Sequence, residues 1–454
     1  MNTHRTTFPH VLLRALCSLA ILALVHTAMA QGMTTVFVGN QGNFSDANGS
    51  VTAFDPATGT VTQNAVPDLN TLIQSIALTE TTGYVMANTS DRVDVFDPQT
   101  MARTGQILNV PSPRYMALIG GDRAYVSDLN DETVSILDLQ NNTVIGAIGV
   151  GFNPEYIAVH GNRAYVANFG FGFSTTLSVI DTDSDTVVET RELGCDGPRF
   201  GAFDRQDELW VFCVGKTVFN ADFTEIIEQT NGTVVVFDAA GIEVARFALD
   251  AQIGSGSLGQ DVFYSALSEE AFVLAGSSIL AFDTATNTAL GPIPVPGDTP
   301  AAAVAFDATD GRFYVARVPG FTEAGYVSIL DRTGASVGQF DAGIAPASIA
   351  LYQPGVHVAV EDTDDIPAEL ALDQSYPNPF HEATTLTWVL PQPGHVTLAV
   401  YNVLGQKVAT LIDGALPAGP QRIVWRAGGL PAGLYLARME ANGEAQTQTM
   451  TLIR

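Results

Sequence analysis

Short apolar segments in the alternating rhythm of β-strands run the length of the chain, each closed by Gly, Asn, Asp or Pro. One aromatic-led segment recurs as Val36-Phe37-Val38-Gly39-Asn40, Gly83–Asn88, Ala124–Asp128 and Ala164-Tyr165-Val166-Ala167-Asn168. Weaker copies follow at Leu209–Val211, Ala271–Val273 and Arg312–Val315. After each comes a strand ending in Asp: Val51–Asp55, Val93–Asp97, Val134–Asp138, Leu177–Asp181, Val234–Asp238, Ile279–Asp283 and Val327–Asp331. A tight polar turn such as Pro56–Gly59 then leads to a third short strand. A fourth follows, usually opened by Pro, as in Pro113–Leu118, Pro154–Val159, Pro198–Phe203, Pro300–Phe306 and Pro346–Leu351.

Four antiparallel strands in a unit of about 40–45 residues predict a β-propeller blade. Seven aromatic-led and seven Asp-ended strands predict seven blades. The region begins on the second strand of a blade and ends near Leu351 on a first strand. The two ends therefore complete one blade between them and leave no open edge. The long interval from Trp210 to Phe272 predicts an insertion around Lys216–Thr230. The repeated Asn and Asp at strand ends are expected to satisfy turn backbones.

These copies resemble the YVTN-type β-propeller repeat family, most closely at Tyr165–Asn168 and Ser178-Val179-Ile180-Asp181-Thr182. The resemblance covers residues 31–353 and implies a fold without a shared chemistry. Residues 354–371, Pro- and acid-bearing, read as a linker. Residues 372–454 predict six further alternating strands, from Thr384–Leu390 to Gln446–Ile453, parted by turns, hence a small immunoglobulin-like β-sandwich. The fold class is all-β throughout.

The last segment carries its own motifs: Tyr376-Pro377-Asn378-Pro379-Phe380, then Gly405 within Val400–Gln406, then Gly433 and Tyr435 within Leu430–Tyr435. In this order they resemble a type A sorting domain of the type IX secretion system. That resemblance implies that the type IX machinery carries a folded cargo across the outer membrane. The domain is then usually removed, with the cargo released or attached to surface lipopolysaccharide. At the other end, Arg5 and Arg14 precede the apolar run Ala15–Val25 and the small-x-small site Ala28-Met29-Ala30, so residues 1–30 read as a secretory signal peptide. The run is too short to span a bilayer, and the mature chain is expected at the cell surface or secreted, with no transmembrane segment.

Composition sharpens this picture. Apolar content of 46% excludes disorder for most of the chain, and scarce Lys and Glu weigh against coiled coils and helical repeats. The net charge of −28 is concentrated in residues 31–369, where 43 acids face 13 bases. It argues against nucleic acid and anionic membrane as partners. Only Lys216 and Lys407 are lysines, and excess Asp with little Lys predicts a surface adapted to a saline habitat. Export leaves Cys195 and Cys213 on the two arms of a hairpin turning at Asp204–Asp207. Either they form a disulfide or they stand as two separate buried thiols.

Candidate chemistry is sparse. Nucleophile-elbow, P-loop and zinc-protease patterns are absent, and residues 31–371 hold only His160 and His357, with His160 expected as a solvated turn residue. Asp181–Asp185 with Glu192 superficially imitates a calcium loop, but its sixth place is Thr186 rather than Gly, and Thr186–Leu193 aligns with a blade strand. No cofactor or resident metal is expected beyond weakly bound calcium at carboxylate turns. Aligning the innermost strands places Gln74, Arg114, Glu155, Arg199, Phe263, Ala302 and Ala347 in a ring at the channel mouth, with Tyr115, Tyr156 and Phe200 next to the charged members. Two arginines there suit a carboxylate or carbonyl-rich ligand; alternatively Glu155 bridges Arg114 and Arg199 and knits the ring. The expected function is a secreted or surface-displayed module that binds a ligand, glycan or protein. The rivals are a lactonase-like hydrolase using a channel metal or carboxylate, and a purely structural surface component.

Overall fold

The computed structural model describes residues 34–254, 259–354 and 370–453, apart from short gaps in the last stretch. The described residues form β-strands and turns, with two single-turn 3₁₀ segments. Seven four-stranded antiparallel sheets account for residues 35–352. We number them as blades in chain order. Blade 1 joins Thr35–Asn40, Ser50–Asp55 and Thr60–Thr62 to Pro346–Tyr352, and Val38 pairs with both Thr52 and Ile349. Both ends of the region thus close one sheet, as the strand count requires.

Blades 2 to 7 start on the innermost strands Ile73–Leu78, Pro113–Leu118, Pro154–His160, Pro198–Phe203, Val262–Ser265 and Ala301–Asp307. Second strands are the most buried, because each faces the neighbouring blade on both sides; Gly83–Ala87 and Leu209–Cys213 are buried throughout. Outer strands such as Thr143–Gly149 alternate exposed and covered residues at the rim. The core is a circle of separate interblade clusters rather than one mass. Phe272, Phe306 and Phe313 fill one, with ring centroids 4.6–4.9 Å apart.

Because the strands run up and down, connections alternate between two faces. Loops joining blades, and those between second and third strands, emerge where the innermost strands begin; we call this the entry face. Asp-capped turns occupy the opposite, turn face. There Asp97, Asp138, Asp181 and Asp331 each accept hydrogen bonds from backbone N–H groups two to four residues on. Those bonds hold each carboxyl below its ordinary range; at Asp138 the Asn141 side chain contributes most, and at Asp331 the Thr333 hydroxyl.

The Asn residues at second-strand ends do more than finish turns. Asn168 Nδ2 donates to Thr176 and Ser178 hydroxyls on the third strand, while its Oδ1 accepts from Gly151 N (3.1 Å). Asn40 repeats the pattern with Thr52 and Gly343. In blade 5 the same two positions are Cys213 and Cys195, and they form a disulfide with Cα atoms 6.0 Å apart. The insertion of blade 5 is a hairpin, Thr217–Phe219 with Ile226–Gln229, rising from the entry face just beyond Cys213.

Residues 370–453 form a two-sheet sandwich. Ala371–Leu372, Ala383–Leu390 and Gly419–Arg426 make one sheet; Lys407–Leu416, Gly394–Asn402, Gly433–Ala441 and Glu444–Leu452 make the other. Trp388, Trp425, Phe380 and Tyr435 are buried between them. The signal segment and most of the 354–371 linker lie outside the described residues.

Candidate functional site

At the start of blades 2 to 5 the innermost strands bring Gln74, Arg114, Glu155 and Arg199 side by side. The Arg114 guanidinium donates to Gln74 Oε1 with one arm and Glu155 Oε1 with the other. Arg199 Nη1 donates to Asp261 Oδ2 at 3.1 Å. Both arginines and both acids are at most 5% exposed. One position further along, Tyr115, Tyr156 and Phe200 pack with centroids 5.5–6.0 Å apart. The Arg199 guanidinium lies 5.2 Å from the Phe200 centroid and 5.6 Å from that of Phe169.

Every residue of the sequence-derived charged arc is therefore gathered here, and the arc holds two buried ion pairs, Arg114–Glu155 and Arg199–Asp261. Asp261 is its unforeseen member, and Phe263 does not belong to it. Strand register aligns Phe263 with Ala158, three places along, where it pairs with Phe272 and packs into clusters shared with blades 7 and 1. Gln260 and Asp261 take the ring positions instead. Sequence alone misplaces this register because the innermost strand of blade 6 has four residues and no opening Pro after a long loop.

The remaining arc is small-sided, with Ala302, Ala303, Ala347 and Ser348. Chain leading into blade 6 lies against it: Gln260 N donates to Ala347 O (2.8 Å) and Val304 N to Gln260 O (3.1 Å). A Cβ on Gly259 would sit 1.7 Å from Ala302 O, so glycine is needed for this approach. Gly259 and Gln260 thus line the mouth on this side.

Burial governs the electrostatics. Desolvation pushes Asp261 up to about 7 despite Arg199, and Tyr115 up to about 12. For Arg199 desolvation alone would lower the pKa, but Glu155, Tyr115 and Asp261 together outweigh it and the net shift is upward. Glu155 Oε2, Asp261 Oδ1 and Arg114 Nε are buried without a hydrogen-bond partner among the described residues.

Other sites are weaker. His160 ends a strand, half-buried, stacked on Phe203 at 4.8 Å and 3.8 Å from Asp207, beside a turn-face cavity of about 140 Å³ that Arg191 and Gly241 also line. In the Asp181–Asp185 turn, Asp181 is capped by Ser184 and Asp185 holds Arg123 and the Tyr125 hydroxyl. Thr186–Glu192 is the outer strand of blade 4, as its alignment predicts. Among the described residues no three His, Cys, Asp or Glu side chains converge on a point suited to a cation.

In the sandwich the motif residues organise the C-terminal strand. Asn378 Nδ2 donates to Thr449 O (2.8 Å) and its Oδ1 accepts from Thr451 N (2.7 Å). Phe380 bridges the same strand through Thr451 O and Ile453 N. Tyr435, packed on Trp425 at 5.5 Å, donates its hydroxyl to Pro431 O. Gly405, at φ +74°, closes the Asn402–Gln406 turn; Tyr376, Pro377 and Pro379 lie outside the described residues.

Residues 374–453 match the secretion system C-terminal sorting domain family. This region is a type IX secretion sorting domain. The sorting domain directs the chain to the type IX machinery and so to the cell surface or the medium. No helix among the described residues is long and apolar enough to cross a membrane. No curated protein matches the chain in sequence. Among solved structures, the periplasmic gluconolactonase of Pseudomonas aeruginosa superposes with a TM-score of 0.54 at 16% identity, over 70% of this chain and 99% of its own. Hydrazine synthase of Kuenenia stuttgartiensis gives 0.51 at 18% identity, over 63% and 96%. At such identities the likeness is one of fold, a β-propeller.

Proposed function

We propose that the exported propeller is a binding or scaffold module without catalytic activity. The observation that carries this reading is the channel mouth, where Arg114 is bonded to Gln74 and Glu155, and Arg199 to Asp261, all of them buried. Ligand contact by these residues, with Tyr115, Tyr156 and Phe200, would require breaking buried ion pairs, so their role here is to fasten blades 2 to 6 together. We read residues 1–30 as the signal peptide, 31–353 as a YVTN-like cargo and 354–371 as the linker along which the sorting domain is parted from it. Calcium, if taken up, belongs at exposed Asp turns, where it would be held weakly.

A lactonase-like reading has one observation of its own: Asp261, with its pKa near 7, is poised as a general base beside Arg199. A panel of aldonolactones incubated with the purified mature chain tests the choice. We expect hydrolysis no faster than the buffer blank. Turnover that disappears in Asp261→Asn would replace the binding reading by the hydrolase.

A further inference from the structure

The two faces of the propeller differ in kind. Every exposed phenylalanine of the described propeller residues lies in an entry-face connection: Phe44, Phe152, Phe171, Phe173, Phe219, Phe223 and Phe321, each 45–80% exposed. The turn face carries none. Most of these rings gather on blades 4 and 5. Phe152 and Phe171 meet edge-to-face at 5.7 Å, and Phe219 and Phe223 lie 6.3 Å apart on the inserted hairpin, next to exposed Ile226 and Ile227. The two groups adjoin, since a Cβ on Gly172 would come within 3.5 Å of Lys216 Cα at the hairpin base. Gln252 fixes that base through Lys216 O and Thr230 O.

Charge divides in the same way. On the turn face five arginines, Arg123, Arg163, Arg205, Arg312 and Arg332, pair with Asp185, Asp181, Glu269, Asp310 and Glu270. The entry-face connections hold one base, Lys216, which Glu228 and Asp196 already engage at 2.7 and 3.7 Å. The same connections carry exposed acids, Asp46, Asp131, Glu132, Asp222 and Glu225 among them.

We propose that the entry face, centred on Phe171, Phe173, Phe219 and Phe223, docks a polypeptide surface in which Lys or Arg alternates with aliphatic side chains. Both halves of the face select for it. Aromatic faces attract ammonium and guanidinium groups, and surrounding carboxylates add long-range attraction. The aliphatic side chains cover the apolar patch that water leaves unsatisfied. A second copy of the chain would present the same negative face, and anionic glycans would be repelled. This inference rests on the binding-module reading and names the class of its partner.

The test uses the mature full chain and three probes: an alternating Lys–Leu peptide, its Glu–Leu counterpart and a neutral polysaccharide. Titration calorimetry should show the Lys–Leu peptide binding, and weakening as salt rises. Phe171→Ser/Phe223→Ser/Ile227→Ser, exposed changes that leave the charge alone, should weaken it at least tenfold with an unaltered melting curve. The turn-face variant Asp122→Asn/Asp183→Asn/Asp207→Asn should bind within about twofold of the parent. Failure of the Lys–Leu peptide to bind, equal loss with the turn-face variant, or equal binding of either other probe would overturn the proposal. Lactone turnover, measured on the same preparation, would instead sink the underlying reading and is separately visible.

Discussion

Asp128 holds in blade 3 the place that Asn40 and Asn168 hold in blades 1 and 4, facing hydroxyls of the third strand. Burial, opposed by Thr133 and Ser135 and reinforced by Asp131 and Asp91, pushes its pKa up to about 7. Asp261 is raised to about 7 by burial too. In both, the folded state keeps a proton that the unfolded chain gives up near pH 4. Their contributions to stability are therefore greatest in mild acid, fall as pH rises from about 4 to about 7, and stay lost above that. Asp128→Asn should raise stability at pH 8 by about 1 kcal/mol or more and flatten the slope between pH 5 and 7, as urea titrations at several pH values would show. Cutting one member out of the channel pairs should act oppositely. Glu155→Ala leaves Arg114 buried beside no acid and should cost about 3–5 kcal/mol in the same assay. Arg114, Glu155 and Arg199 could be aligned from sequence because each follows a Pro that fixes the strand start. Asp261 could not, because nothing local marks where blade 6 begins.

At the scale of elements, the blade strands were legible because each combines an apolar alternation with a turn chemistry at a fixed offset. The disulfide was legible only as an alternative. Its geometry depends on a loop residue approaching a strand end across the sheet, which spacing alone does not determine. Blade 4 shows why the approach is available: Gly151 N already reaches Asn168 Oδ1, and Cys195–Cys213 replaces that hydrogen bond by a covalent one. Reduction should lower stability by about 3 kcal/mol, the loop-closure value for a ring of this size. The double replacement Cys195→Gly/Cys213→Asn, which copies blade 4, should recover about 1 kcal/mol of that relative to Cys195→Ala/Cys213→Ala. Chemical denaturation with and without reductant checks both. The inserted hairpin was visible only as surplus length, because its exposed Phe and Ile side chains obey no folding requirement of the blade.

For the whole molecule, charge and address separate cleanly. Residues 31–369 carry a net −30, whereas 370–454 are neutral. Raising NaCl from about 0.05 to 1 M should therefore raise the melting temperature, because screening relieves self-repulsion of the propeller; indifference to salt would contradict a saline adaptation. Deleting 374–453 should leave the propeller in the periplasm, as fractionation and blotting would show. The closure of blade 1 has a consequence for the order of synthesis. Its last strand, Pro346–Tyr352, is made after every other propeller strand and before the sorting domain. A chain that ends early lacks the destination tag as well as the closing strand. The C-terminal address is thereby confined to chains in which the ring-closing strand has already been made.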